Sequence, residues 1–134
     1  MSRARVLIAD DNALMADRIR ELLAEAFDVV GVVGSGEALE AAFEALTPEV
    51  VVTDIVMPGK GGLAAVRHIL GRYPGTPVVL LSAIGEQPVI RASLLAGVQA
   101  YVVKEDAGEE LIPAVQAALE GRSYLSAVAR RGTG

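Results

Sequence analysis

Two aspartates, Asp10 and Asp11, close the apolar run Val6-Leu7-Ile8-Ala9, and a third, Asp54, follows Val50-Val51-Val52-Thr53. Two further runs end in other polar groups: Val78-Val79-Leu80-Leu81 in the hydroxyl of Ser82, and Tyr101-Val102-Val103 in the ammonium of Lys104. Brought together, these are three carboxylates, a hydroxyl and an amine. Carboxylates about 5 Å apart in an effective dielectric of about 20 repel by on the order of 3 kcal/mol per pair, so the set calls for a cation. An oxygen-only site with few protein ligands suits Mg²⁺ or Mn²⁺, which keep water and accept substrate phosphate. An aspartate is also a nucleophile toward phosphorus, giving an acyl phosphate. Phosphoryl transfer asks mainly for in-line positioning and for neutralisation of the equatorial oxygens. The cation would take one of those oxygens, Lys104 a second, and the Ser82 hydroxyl or a loop amide a third.

Each residue alone has a plainer reading. An aspartate at a strand end is commonly a turn or cap residue, Asp10-Asp11 suit the cap of a first helix, and a lysine after a strand is usually solvated. The single histidine, His68, lies in the helical pattern Val66-Arg67-His68-Ile69-Leu70 and is assigned no role. Gly34-Ser35-Gly36 matches neither common phosphate-loop pattern and reads as a loop and helix start. What favours chemistry is that the polar groups all fall at the ends of apolar runs.

Those runs alternate with segments of helical period, the signature of βαβ units. Strands are expected at Arg5–Ala9, Val29–Val33, Val50–Thr53, Val78–Leu81 and Ala100–Val103, with helices at Ala13–Ala26, Glu37–Leu46, Gly62–Tyr73, Pro88–Ala96 and Glu109–Glu120. This is an α/β, (βα)5 doubly wound parallel sheet of the flavodoxin-like type. Right-handed crossovers with one reversal give the strand order 2-1-3-4-5. That order sets the ends of the first and third strands side by side. Gly97 is expected just past a helix end and Asp106 with Glu109 as a capping box. Pro113 implies either a last helix starting near Ile112 or a kink. The pattern is lost after Leu125.

At 134 residues, with 52% hydrophobic residues and a mean hydropathy of +0.44, the chain fits one well-filled domain. A net charge of −5 weighs against nucleic-acid binding by these residues alone. No apolar run is long enough for a membrane helix, and the N-terminus has no signal-peptide pattern, so the chain reads as cytoplasmic. The absence of cysteine excludes disulfides and thiolate metal sites.

With Met57-Pro58-Gly59 and Gly62 after Asp54, Ala83 after Ser82, and Tyr101 three residues before Lys104, the chain resembles a response-regulator receiver domain of bacterial two-component signalling over roughly residues 5–125. The resemblance implies that Asp54 accepts phosphate from the phosphohistidine of a sensor histidine kinase. It implies that Asp11 ligates Mg²⁺ directly and Asp10 through water, with Asp54 and the Val56 carbonyl completing the protein ligands. Lys104 and Ser82 would serve the phosphoryl group, Ser82 moving toward it while Tyr101 turns inward. Such a domain is a switch, catalysing only its own phosphorylation and slow dephosphorylation. The alternatives are a metal-dependent phosphohydrolase with Asp54 as nucleophile, which would usually carry an acid where Val56 stands, and a stand-alone receiver working through protein contacts.

The stretch from Ala118 to Ser126 resembles the end of receivers with a LuxR-type (NarL/FixJ-like) helix-turn-helix output. That implies transcription control, a homodimer on phosphorylation, and DNA contact only through an output domain outside these residues. Residues 1–125 would be the receiver and 126–134 a C-terminal linker or tail. Two positions depart from the family pattern. Gly61 stands where an acid is frequent, implying a looser loop, and Glu105 replaces a common cis-proline, leaving a trans or strained cis bond after Lys104.

Overall fold

The computed structural model describes residues 3–133. Met1 and Ser2, part of the N-terminus read above, and Gly134 of the tail lie outside the described residues. Six parallel strands form one sheet in the order β2-β1-β3-β4-β5-β6: β1 (Arg5–Ala9), β2 (Asp28–Val33), β3 (Val50–Thr53), β4 (Val78–Ser82), β5 (Ala100–Val103) and β6 (Tyr124–Leu125). The first five follow the expected order, and the sixth is added at the edge.

Alternation along the strands divides the core. Val6 and Ile8 of β1, with Val50 and Val52 of β3, face Ile19 and Leu23 of α1 (Ala13–Leu23) and Leu111 and Val115 of α5 (Ala107–Leu119). Leu7, Ala9 and Val51 face the other way, toward Leu39 and Phe43 of α2 (Gly36–Leu46), Val66 and Ile69 of α3 (Gly62–Arg72) and Ile90 of α4 (Gln87–Leu95). β3, β4 and β5 are buried at every position, as strands covered on both faces must be. The register then fixes the rim: Ala9 pairs with Thr53 and Ser82 with Val103, so Asp10, Asp54, Ser82 and Lys104 emerge at one edge of the sheet.

Gly97 takes a positive φ of 102° directly after the α4 cap, as expected. Three other expectations are corrected. Asp106 forms no capping box, since its Oδ2 accepts a hydrogen bond from Val128 N at 2.9 Å. α5 does not start near Ile112: it runs from Ala107 with Pro113 inside it on an exposed position, the arrangement under which a kink is the expected alternative. The segment after Leu125 does not lose structure: Ala127–Thr133 form α6, with Ala129 fully buried against β5 and α4. Seven residues are too few for a helix to persist alone. α6 is held by carboxylates from elsewhere in the chain, Glu110 Oε2 accepting from Ala127 N at 2.8 Å beside the Asp106 bond. No peptide bond among the described residues is cis, so the Lys104–Glu105 bond is trans and Lys104–Asp106 form a 3₁₀ turn.

Candidate functional site

Asp54 leaves β3 anchored by its own N–H, which donates to Ala9 O at 2.9 Å, so its carboxylate stands beside the end of β1. One carboxylate oxygen each from Asp10, Asp11 and Asp54 lie within 4.8 Å of one another. Asp10 and Asp54 are buried, at 4% and 7% exposure, and Asp11 is exposed. The cap of α1 is Asn12, whose Oδ1 accepts from Met15 N at 2.9 Å. Asp10 and Asp11 are therefore free of the capping duty that would have explained them away.

Asp10 Oδ1 accepts from Asn12 N at 2.9 Å, while its Oδ2 is buried without a hydrogen-bond partner. Asp54 Oδ1 accepts from Val56 N at 3.2 Å and Oδ2 from Lys104 Nζ at 2.7 Å. Lys104 Nζ also lies 3.4 Å from Asp10 Oδ2. Burial pulls the Lys104 ammonium down, but the hydrogen bond and charge of Asp54 and the charge of Asp10 outweigh it and leave the amine above its ordinary range. One ammonium against three carboxylates leaves two formal negative charges at the rim. That surplus, the Asp10 oxygen left without a hydrogen bond and the all-oxygen donor set fit a hard divalent cation.

A cleft of about 430 Å³ opens over these groups, lined by Asp11, Asn12, Asp54, Val56, Ser82, Ala83, Ile84 and Lys104. Ser82 is fully buried at its floor, and its Oγ accepts from Ile84 N at 3.0 Å. Tyr101 is also fully buried, and its hydroxyl donates to the Ile84 carbonyl. The tyrosine is thus already turned inward, with its phenol pushed above the usual range by burial. Every residue singled out in the sequence, Asp10, Asp11, Asp54, Val56, Ser82, Tyr101 and Lys104, comes to this one edge. Sequence reasoning missed Asn12 and Ile84. Asn12 carried a signal, an Asx residue just ahead of a helical period; Ile84 acts through its backbone and carried none.

The chain matches the model of the response regulator receiver domain over residues 6–116. Response regulator GacA of Pseudomonas aeruginosa is 35% identical over 124 residues, which cover 91% of this chain and 58% of that protein. Transcriptional regulatory protein PdtaR of Mycobacterium tuberculosis is 37% identical over 126 residues, covering 92% of this chain and 60% of that protein. The chain therefore spans about three fifths of the length of these curated relatives. Among solved structures, a LuxR-family two-component response regulator from Aurantimonas sp. SI85-9A1 superposes with a TM-score of 0.93 at 26% identity, covering 98% of this chain and 96% of that one. The isolated receiver domain of RcsB from Salmonella enterica serovar Typhimurium, determined with the phosphomimetic BeF3−, gives 0.90 at 25% identity and covers 99% of this chain and 100% of that one. With the acidic rim, the parallel sheet and these likenesses together, the chain belongs to the response regulator receiver domain family.

Proposed function

We propose that this domain receives a phosphoryl group on Asp54 from a phosphohistidine of a sensor histidine kinase and passes the change to an output that controls transcription. The observation that carries the reading is the pairing of Lys104 Nζ with Asp54 Oδ2 at 2.7 Å inside an acidic rim that still lacks two positive charges. An Asp54 carboxylate oxygen attacks phosphorus, the N–P bond of the phosphohistidine breaks, and the departing imidazole takes a proton from solvent. Mg²⁺ or Mn²⁺, when held by Asp10, Asp11, Asp54 and the Val56 carbonyl, supplies positive charge to the phosphoryl oxygens. Lys104 is already in place to pair with another oxygen once Asp54 carries the phosphoryl group. Ser82 serves a third by leaving its bond with Ile84 N, while Tyr101, already inward, keeps its own bond to Ile84 O.

The Ala118–Ser126 stretch and the likeness to LuxR-family regulators support a helix-turn-helix output. DNA contact and homodimerisation on phosphorylation would then belong to the longer protein. No helix among the described residues is long and apolar enough to cross a membrane. Incubation with phosphoramidate and Mg²⁺ should label the chain once, and Asp54→Asn should abolish the label. Equal labelling of that variant would refute the assignment. Turnover of small phosphate esters would instead favour a hydrolase, for which the exposed Val56 supplies no acid.

A further inference from the structure

The loop between β3 and α3 carries Val56 and ends against the backbone of Asp54. Gly62 N donates to Ile55 O at 2.8 Å, and a Cβ added at Gly62 would lie 1.7 Å from the Asp54 carbonyl oxygen. On its outer side the loop meets the start of α2. A Cβ added at Gly36 would lie 2.6 Å from Gly61 O, so two backbones touch there with no side chain between. The loop is thus pressed between α2 and the peptide of the candidate phosphoacceptor. Met57 anchors the inner side of the loop in the core, with Ile55 packed beside it, whereas Gly61, at a positive φ of 81°, offers no side-chain cap to α3 on the outer side.

The outer side is fastened from α2. Glu37, in the first turn of α2, accepts a hydrogen bond from Lys60 N at 2.9 Å through Oε1. Its carboxylate covers Gly59, whose φ is +73°; a Cβ there would come within 2.5 Å of Oε2. The Lys60 N–H and Glu37's own N–H hold the Glu37 carboxyl below its usual range, and the position also suits the positive end of the helix dipole. One turn on, Glu40 Oε2 lies 2.6 Å from Lys60 Nζ, and its Oε1 lies 3.3 Å from His68 Nε2 of α3. Glu40 is largely buried between the helices, at 18% side-chain exposure.

We infer that Glu37 and Glu40 are positioning residues for the site: from the side of the loop away from the cleft, they fix the Val56 carbonyl and the Asp54 backbone where a divalent cation and a phosphoryl group require them. The inference deepens the proposed function and rests on it for the role of Asp54. Cation binding to the acidic rim tests it separately. Groups that orient metal ligands from behind typically carry about 10- to 100-fold in metal affinity.

The test measures Mn²⁺ dissociation constants by electron paramagnetic resonance and phosphoramidate labelling rates on the full chain. Glu37→Ala should weaken Mn²⁺ binding and slow labelling at saturating donor by about tenfold, with half-saturation by donor unchanged. Glu37→Gln has the same loss of charge but keeps an oxygen for Lys60 N–H, and should return to within about threefold of the unaltered chain. Lys60→Ala, which keeps the N–H for Glu37 but removes the ammonium beside Glu40 while His68 remains there, should fall between them. Unchanged Mn²⁺ affinity in Glu37→Ala would overturn the inference. Equal impairment of the Ala and Gln variants would do so too, since it would reduce the effect to long-range charge. If the Mn²⁺ effects appear but Asp54 takes no label in the unaltered chain, the phosphoacceptor reading falls and the clamp stands.

Discussion

Replacing Gly62 with alanine tests how tightly α3 is seated on Asp54. The new Cβ would lie 1.7 Å from the Asp54 carbonyl oxygen, 2.8 Å from its carbon and 3.0 Å from Thr53 Oγ1. Carbon and oxygen do not approach within 3.0 Å in such contacts, so α3 or the Asp54 peptide must move by at least about 1.3 Å. Overpacking costs about 1 to 3 kcal/mol when side chains can adjust. The obstacle here is the backbone of Asp54, buried just past the end of β3, which puts the cost at about 3 kcal/mol or more. Against a total stability of about 5 to 15 kcal/mol, that should lower the melting temperature by about 10 °C. Far-ultraviolet circular dichroism on heating measures it, with Mn²⁺ titration reporting the displaced rim. Gly71→Ala, at an exposed α3 position with nothing within 4 Å of the added carbon, is the matched control. It should gain about 0.5 kcal/mol from helix propensity. A Gly62→Ala protein melting within about 2 °C of the unaltered chain, with undiminished Mn²⁺ binding, would refute the packing argument.

Lys104→Met should slow phosphoramidate labelling more than about tenfold, since one charge-assisted contact to the phosphoryl group is lost. The same change should tighten Mn²⁺ binding, because it removes an ammonium 2.7 Å from Asp54 and 3.4 Å from Asp10. Because the folded state raises the Lys104 pKa, its ion pairs contribute fully below the ordinary value of 10.5 and are lost as pH climbs through the higher folded value. Alkaline melts of the unaltered chain should therefore show a loss that Lys104→Met lacks. Pro113→Ala restores an N–H inside α5 toward the Glu109 carbonyl at an exposed position, and should raise stability by about 1 to 3 kcal/mol in urea unfolding. Ser126→Ala orphans the buried Val103 N–H that donates to Ser126 Oγ at 3.0 Å, and should cost about 1 to 3 kcal/mol, with faster hydrogen exchange at that amide.

The first five strands and the gathering of Asp10, Asp54, Ser82 and Lys104 were legible because they depend on local pattern and one topological rule. Apolar runs of four or five residues mark strands, and the single reversal of winding decides which run ends are neighbours. What escaped depends on partners distant in the chain. Tyr124-Leu125 is too short for periodicity, and α6 exists because Asp106 and Glu110, seventeen or more residues earlier, accept its first N–H groups. The capping-box reading of Asp106 failed for the same reason, the carboxylate being drawn to a nonlocal donor. The loop at Gly61 was read from its own residues alone, while Glu37 and Glu40 of α2 also hold it through Lys60. A signal for it was present: Glu37, Glu40 and Glu44 recur along one side of α2, facing Lys60, His68 and Arg72. Only the sheet order makes those two rows adjacent.

β6 is two residues long, yet it alters how the sheet meets other molecules. Tyr124 N donates to Gln99 O and Ser126 N to Tyr101 O, both at 3.0 Å, and Ser126 Oγ takes the Val103 N–H. The outer backbone valences of β5 are thereby consumed by its own chain. An incoming strand finds no template there, and association on that side must proceed through side chains. Edge-to-edge extension is left to β2 at the opposite margin, a six-residue strand whose Val32 is 40% exposed, making that margin the place where a solubilising charge would act against fibre growth.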